Sequence, residues 1–367
     1  MQCGALGTLV VTPFWNRRRV LVTGHTGFKG AWLAFWLSEM GAEVSGLALA
    51  PDTNPNLHDI LALPERGRFV QADINDRAAL CALVDAARPQ VVFHLAAQAL
   101  VRRSYAMPVE TFATNVVGTV ALLDAIRRCP HTEAVVVVTS DKVYENMNWP
   151  WGYRESDSLG GHDPYSASKA CTEIATSAMR RSFFGPAGHA ARIATVRAGN
   201  VIGGGDWAED RLAPDIVRGC LGADGMVRLR NPDAVRPWQH VLDPLHAYLM
   251  LAERLCGGGE DVGEAWNIGP EAGENRSVSD VASAIVAALG RGRIEVTAPV
   301  GAPHEAHLLA LDCAKARAEL GWLPRIDFAA AVALTASWYS AWAKGADMVS
   351  ITRKQIAEFT ERFSLSD

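Results

Sequence analysis

The chain has 367 residues, 49% of them hydrophobic, and a formal net charge of -5, so it can bury a sizeable core and does not read as disordered. Mild acidity argues against nucleic acid or an anionic membrane as the main partner, while an anionic small molecule can still be held by a few local arginines. Seven scattered cysteines, with no C-x-x-C pair and no His/Cys cluster at metal-ligand spacing, argue against a metal site and fit a reduced cytoplasm.

Strand-like apolar runs alternate with helix-length segments through the first half, the βαβ pattern of a parallel sheet covered on both faces. The expected elements are a strand at Arg19–Thr23, a helix at 31–40, strands at Glu43–Ala48, Arg68–Gln71 and 91–95, and a helix at 108–127. A strand at 135–139, a helix at 165–184 and a strand at 193–197 follow. The fold class is therefore α/β, a Rossmann-type doubly wound parallel sheet spanning residues 1–200. A smaller lobe at 201–367, rich in loop Gly, Pro, Trp and Arg, is expected to hold the substrate, with late elements interleaved into the sheet. The arginines Arg17, Arg18 and Arg19 follow the weakly apolar start instead of preceding it, and no apolar run reaches about 18 residues, so neither a signal peptide nor a membrane span is expected.

Between the first strand and its helix lies Gly24-His25-Thr26-Gly27-Phe28-Lys29-Gly30. Glycines at this spacing let the backbone approach a pyrophosphate, whose charge meets the free amides and dipole of the helix that follows. A glycine triplet alone is equally an ordinary tight turn; its place between a valine-rich strand and an amphipathic helix favours a dinucleotide. Asp73 and Ile74 after the third strand suit an adenine edge, and Leu95, Ala96 and Ala97 after the fourth leave room for a flat cofactor. The second strand reaches an acid only at Asp52, past Pro51, and no arginine is expected at that corner to meet a 2′-phosphate, so NAD is favoured over NADP.

Tyr165 and Lys169 stand four apart and share a helix face, so the amine is expected to draw the phenol below its usual value of about 10 and make it a base for a sugar hydroxyl. Thr139, Ser140, Asp141 and Lys142 close the valine run at the carboxyl end of a buried strand, where open α/β sheets keep their ligands. A simple alcohol dehydrogenase needs only Tyr165, Lys169 and one hydroxyl. The added acid and amine indicate a second proton transfer, against the plainer reading of Asp141-Lys142 as a solvated salt bridge. Arg236, before Pro237-Trp238, and Arg211, after the Gly203–Gly205 turn, are candidate diphosphate clamps, with Asn200 assisting from a strand end. Trp207 and Trp238 read either as walls of the sugar or base pocket or as core.

Together these motifs resemble the extended short-chain dehydrogenase/reductase family of nucleotide-sugar epimerases and dehydratases. The resemblance runs from Phe14-Trp15 through His94-Leu95-Ala96-Ala97-Gln98-Ala99-Leu100-Val101-Arg102 and Gly161-His162-Asp163-Pro164-Tyr165 to Arg236-Pro237-Trp238-Gln239-His240-Val241. Asp-Lys at 141–142 resembles the branch acting on CDP-glucose, whereas dTDP-glucose dehydratases carry Asp-Glu there. The resemblance implies a 4,6-dehydratase with bound NAD that opens routes to deoxy sugars of bacterial surface glycans. Tyr165, Lys169 and Ser140 would serve oxidation at carbon 4, with Asp141 as the acid and Lys142 as the base of the elimination. Gln98 and Arg102 join the expected substrate-binding set. His304, Glu305 and His307 receive no metal role. A homodimer through the 108–127 and 165–184 helices is implied, with a tetramer as the alternative. The stretch before Pro13 departs from the family pattern and reads as extra leader or a misplaced start.

Overall fold

The computed structural model describes residues 13–185, 188–258, 262–271, 273–297 and 308–364. The stretch before Pro13 and the His304, Glu305, His307 set lie outside the described residues.

Seven strands form one parallel sheet: β1 (Arg19–Thr23), β2 (Glu43–Ala48), β3 (Arg68–Gln71), β4 (Val91–His94), β5 (Ala134–Val138), β6 (Arg192–Ala198) and, after a long excursion, a late strand at Ala265–Ile268. Their order is β3-β2-β1-β4-β5-β6 followed by the late strand, so the direction of winding reverses between β1 and β4. The crevice at that reversal is where such sheets bind ligands. All residues of β4 and β5 are buried, as their near-continuous Val, Ala and Phe content requires of strands covered on both faces.

The excursion supplies β7 (Asn200–Ile202), β8 (Met226–Leu229) and β9 (Val235–His240) before the late strand, β10, and then β11 (Asn275–Ser277) and β12 (Arg293–Val296). β9 lies between β11 and β7, while β8 pairs with β12. β10 returns to the main sheet with Ala265 opposite Thr195, and the Leu242–Cys256 helix packs on β5 and β6. The two halves are also joined where Trp32 Nε1 donates to Gly204 O at 2.9 Å. A Cβ on Gly204 would fall 2.0 Å from the Trp338 ring, so only glycine permits that approach.

Helix boundaries differ from the sequence pattern for local reasons. The first helix begins at Phe28, not 31, because Gly27 N–H donates to Gly24 O and Ala31 N–H to Gly27 O, so the glycine loop turns straight into it. The Pro164–Phe183 helix starts on an Asp163 cap whose carboxylate accepts from Ser166 N–H at 2.9 Å, with Pro164 in the first turn. Pro108–Ile126 contains a π turn at Ala113–Val117 and, contrary to expectation, is long and apolar enough to cross a bilayer by length and hydropathy. In the fold it packs beside Pro164–Phe183, leaving Val109 and Val117 exposed. Trp207 settles as core, its ring against Tyr339 and Trp342.

Four histidines are held neutral: burial lowers His25 to about 4, and lowers His94, His240 and His246 to about 3, with His58, Lys169 and Arg325 adding repulsion at the first, second and fourth. Below pH 6.5 the unfolded chain takes up protons that the folded chain refuses, so this stability is complete above 6.5 and is lost as pH falls toward the folded values. At pH 5.5 each such group costs about 1.4 kcal/mol. The thermal midpoint is expected to fall clearly between pH 7.5 and 5.5; a flat profile over that interval would show that these imidazoles accept protons in the fold.

Candidate active site

The loop after β1 is shaped by close approach. Gly24 has φ +74°, and a Cβ there would lie 2.6 Å from Ala96 N; one on Gly30 would lie 2.1 Å from Gly24 O. The first helix has an extended Gly27 at its cap and no side chain capping it, so its first amides remain available to an anion. Thr26 Oγ1 donates to Leu49 O at 3.0 Å, and Ala96 N–H donates to Thr23 Oγ1 at 3.3 Å, tying the loop to the ends of β2 and β4 beside Leu95 and Ala97. Asp73 closes a turn by accepting from Asn75 N–H at 2.8 Å, and Ile74 is buried against Gly118. The corner after β2 corrects one expectation: Arg103 does reach it, ion-paired to Asp52 at 3.1 Å. That pairing already meets the guanidinium with a carboxylate.

A cavity of about 500 Å³ opens over the carboxyl ends of β5 and β6, and Lys29, Arg102, Ser140, Asp141, Lys142, Tyr165, Asn200, Arg211 and Arg236 all line it. Ser140 begins a 3-10 turn at Asp141–Val143: its Oγ accepts from Lys142 N–H at 3.2 Å and donates to Asp141 Oδ1 at 3.0 Å. Lys142 Nζ stands 3.6 Å from Asp141 Oδ1. Asp141 is 2% exposed and its Oδ2 has no hydrogen-bond partner among the described residues. A solvated surface bridge does not match that burial.

Tyr165 departs from expectation. Burial raises its phenol above the ordinary value, Asp141 and Asp163 add to the rise, and a hydrogen bond with Ser140 and the charge of Arg211 oppose it. Lys169 does not draw it down; its Nζ donates to Val138 O at 3.1 Å, and burial followed by repulsion from Lys29 lowers this amine to about 7. Lys29 is a residue whose part the motif understated. Its amine is lowered to about 8 by burial and by Arg211, while Asp141 pulls the other way. A residue expected only in the cofactor loop thus faces the reaction cavity as a third amine.

A buried polar network holds this floor. Thr139 and Thr195 hydroxyls donate to Glu173, at 2.5 and 2.7 Å, and Arg197 pairs with Glu173 at 3.0 Å, both side chains 4% exposed. Arg197 Nη1 also donates to the Tyr144 hydroxyl at 2.8 Å, which donates to Asn267 Oδ1 at 2.6 Å. Thr139 belongs to the motif that closes the valine run, but Glu173, Thr195 and Asn267 did not stand out in the sequence; the available signal was Glu173, one helical turn beyond Lys169 on the same face.

The substrate-binding set divides. Arg211 pairs with Asp206 at 3.3 Å, and Arg102 approaches Asp210 at 3.8 Å. Arg236 is buried and donates to Val235 O at 2.8 Å, beside Trp238, which also walls the cavity. Gln98 is a correction. Its Nε2 donates to Leu100 O and Thr111 Oγ1, both at 3.0 Å, and its Oε1 accepts from Leu100 N–H at 2.7 Å, so the amide shapes its own loop and is absent from the cavity lining. Among the described residues no group of His, Cys, Asp and Glu could hold a metal ion.

Comparison with known proteins finds relatives along most of the chain. A family model described as GDP-mannose 4,6 dehydratase matches residues 21–335. A CDP-glucose 4,6-dehydratase of Salmonella typhimurium is 46% identical over 349 residues, 94% of this chain and 97% of that protein. A dTDP-glucose 4,6-dehydratase of Streptomyces antibioticus is 32% identical over 330 residues, 87% of this chain and 92% of that protein. Among solved structures, a dTDP-glucose 4,6-dehydratase of Streptomyces venezuelae with NAD bound superposes with a TM-score of 0.76 at 27% identity, covering 90% of this chain and 99% of that one.

Removing one partner of the buried ion pair tests the floor. Arg197→Met leaves Glu173 buried without its counter-charge and is expected to cost about 3–5 kcal/mol, read as a lower denaturant midpoint; a change below about 1 kcal/mol would mean that the pair is open to water.

Proposed function

The chain belongs to the GDP-mannose 4,6 dehydratase family, and from that premise we propose that it is an NAD-dependent lyase converting CDP-glucose to CDP-4-keto-6-deoxyglucose. The observation that carries this reading is the buried Asp141 with Lys142 beside it, facing the same cavity as Tyr165. Oxidation and return at carbon 4 would use Tyr165, Lys169 and Ser140 alone.

The residues present fit the cofactor: Gly24 and Gly30 leave no room for a Cβ in the loop, and the uncapped helix presents amides to a pyrophosphate. When bound, NAD supplies an acceptor for the hydride of carbon 4 and a donor for carbon 6. Tyr165 takes the proton of the 4-hydroxyl, which requires its phenol to be drawn below the raised value it has in this fold. Of the chain's own groups, the Ser140 hydroxyl and the Arg211 charge act in that direction, with Lys169 on the same helix face. Once a ketone stands at carbon 4, the proton on carbon 5 becomes acidic. Lys142 removes it while Asp141 protonates the departing 6-hydroxyl, and Lys142 later returns a proton to carbon 5. Arg211 and Arg236 are assigned to the diphosphate with Asn200 assisting, and Arg102 to the substrate. Residues 1–200 carry the NAD site and 201–367 mainly the nucleotide-sugar site.

The exposed apolar side chains Val109, Phe112 and Val117 on one helix and Ile174 on its neighbour form the face assigned to a homodimer. The six cysteines among the described residues are free thiols, which fits a reducing cytoplasm.

CDP-glucose carrying deuterium on carbon 4 is expected to give a product with that deuterium on carbon 6, and the reaction in heavy water to place one solvent deuteron on carbon 5. Label returned to carbon 4 would mean epimerisation and would remove the dehydratase reading. Lys142→Met is expected to slow dehydration by at least about 100-fold, with loss of solvent exchange at carbon 5; exchange at the normal rate would move the base elsewhere.

A further inference from the structure

The proposed reaction takes a hydride from carbon 4 and returns one to carbon 6, so the reduced cofactor has to stay in its site while the sugar loses water. Departure at that stage would strand a 4-ketone with no hydride to accept.

One side-chain contact crosses the crevice in which the cofactor is held. β1 lies between β2 and β4, and with neighbouring strands about 4.8 Å apart the ends of β2 and β4 stand about 10 Å from one another, on either side of the glycine loop. Asp52 follows β2 and Arg103 follows β4. Their contact, Arg103 Nη1 to Asp52 Oδ2 at 3.1 Å, therefore spans the end of β1 where that loop sits. The segment after β2 is itself tied to the loop, since Thr26 Oγ1 donates to Leu49 O at 3.0 Å.

Arg103 stands on a short helix, Val101–Ala106, that is anchored at both ends. Gln98 fixes its start by accepting from Leu100 N–H at 2.7 Å, and near its end Ser104 Oγ accepts from Tyr165 N–H at 3.1 Å. The amide that sequence assigned to the substrate thus holds the carrier of Arg103. Arg102, one position earlier, lines the reaction cavity, whereas Arg103 is turned to the corner after β2. The helix stands between the two places, with one arginine toward each.

We propose that the Asp52–Arg103 ion pair is a latch across the cofactor crevice that slows departure of the bound dinucleotide. The two side chains are 63% and 43% exposed, so the pair opens readily enough to admit the cofactor, and a pair of this exposure shifts an equilibrium by about two- to five-fold. Release that has to wait for the latch to open is slowed by the same factor. The inference rests on the cofactor site described above and not on which sugar nucleotide is dehydrated.

The full-length enzyme loaded with NADH tests the latch in a stopped-flow experiment that follows the fluorescence of NADH as excess NAD displaces it. Asp52→Asn and Arg103→Gln should each release NADH about two- to five-fold faster than wild type. The double variant should be no faster than either single one, because both changes remove the same contact. Exchanging the charges, Asp52→Arg together with Arg103→Asp, rebuilds the pair in reverse and should return the wild-type rate. Unchanged release in Asp52→Asn would overturn the latch, and if Arg103→Gln alone were faster the guanidinium would be holding the cofactor directly. Accelerations that multiply in the double variant would overturn it too, as two separate contacts. A wild type that binds no NADH would instead remove the cofactor site on which the latch depends.

Discussion

Keeping a carboxyl group almost wholly out of water is the constraint around which this site is arranged. Asp141 is 2% exposed at the end of a fully buried strand, where an isolated charge would be costly. It is met by the Ser140 hydroxyl and by Lys142 on its own turn, and by the field of Lys29 from the neighbouring loop. Lys169 lies in the same charge system through its repulsion with Lys29. One acid thus stands among three amines, two of which, Lys29 and Lys169, repel one another.

The sheet sets these groups side by side. β1 delivers the glycine loop with Lys29, β5 delivers the Ser140 turn, and the Asp163 cap fixes where the Tyr165 helix begins. Beneath them the Glu173–Arg197 pair, with Tyr144 and Asn267, braces the strand ends from below. The reactive turn can therefore be short, since its rigidity comes from hydrogen bonds made one layer down.

The sheet and the reactive motifs were legible in the sequence because both are local. Valine runs announced β5, glycine spacing the loop, and a four-residue step the shared face of Tyr165 and Lys169. What escaped depends on where side chains turn once the fold is formed. Gln98 sits in a motif that reads as substrate-facing, yet Leu100 and Thr111 consume its amide. Lys169 was expected to act on Tyr165, but in the fold its ammonium donates to the Val138 carbonyl. Arg103 reaches Asp52 from 51 positions away, a meeting that no local pattern encodes. Lys29 was visible as a loop residue; only the fold shows its charge facing Asp141 and Arg211.

The return of β10 to the main sheet has a consequence for how the molecule comes into being. β6 is covered along its outer edge only when Ala265–Ile268 arrives, and β5 and β6 are covered on one face by Leu242–Cys256. A chain that ends near residue 200 thus lacks both the strand that pairs with β6 and the helix that covers β5 and β6, leaving β6 as an unpaired edge with an uncovered face. The β6 end of the sheet is therefore built from both halves of the sequence, and a gene fragment covering only the first half would encode a sheet with that end bare.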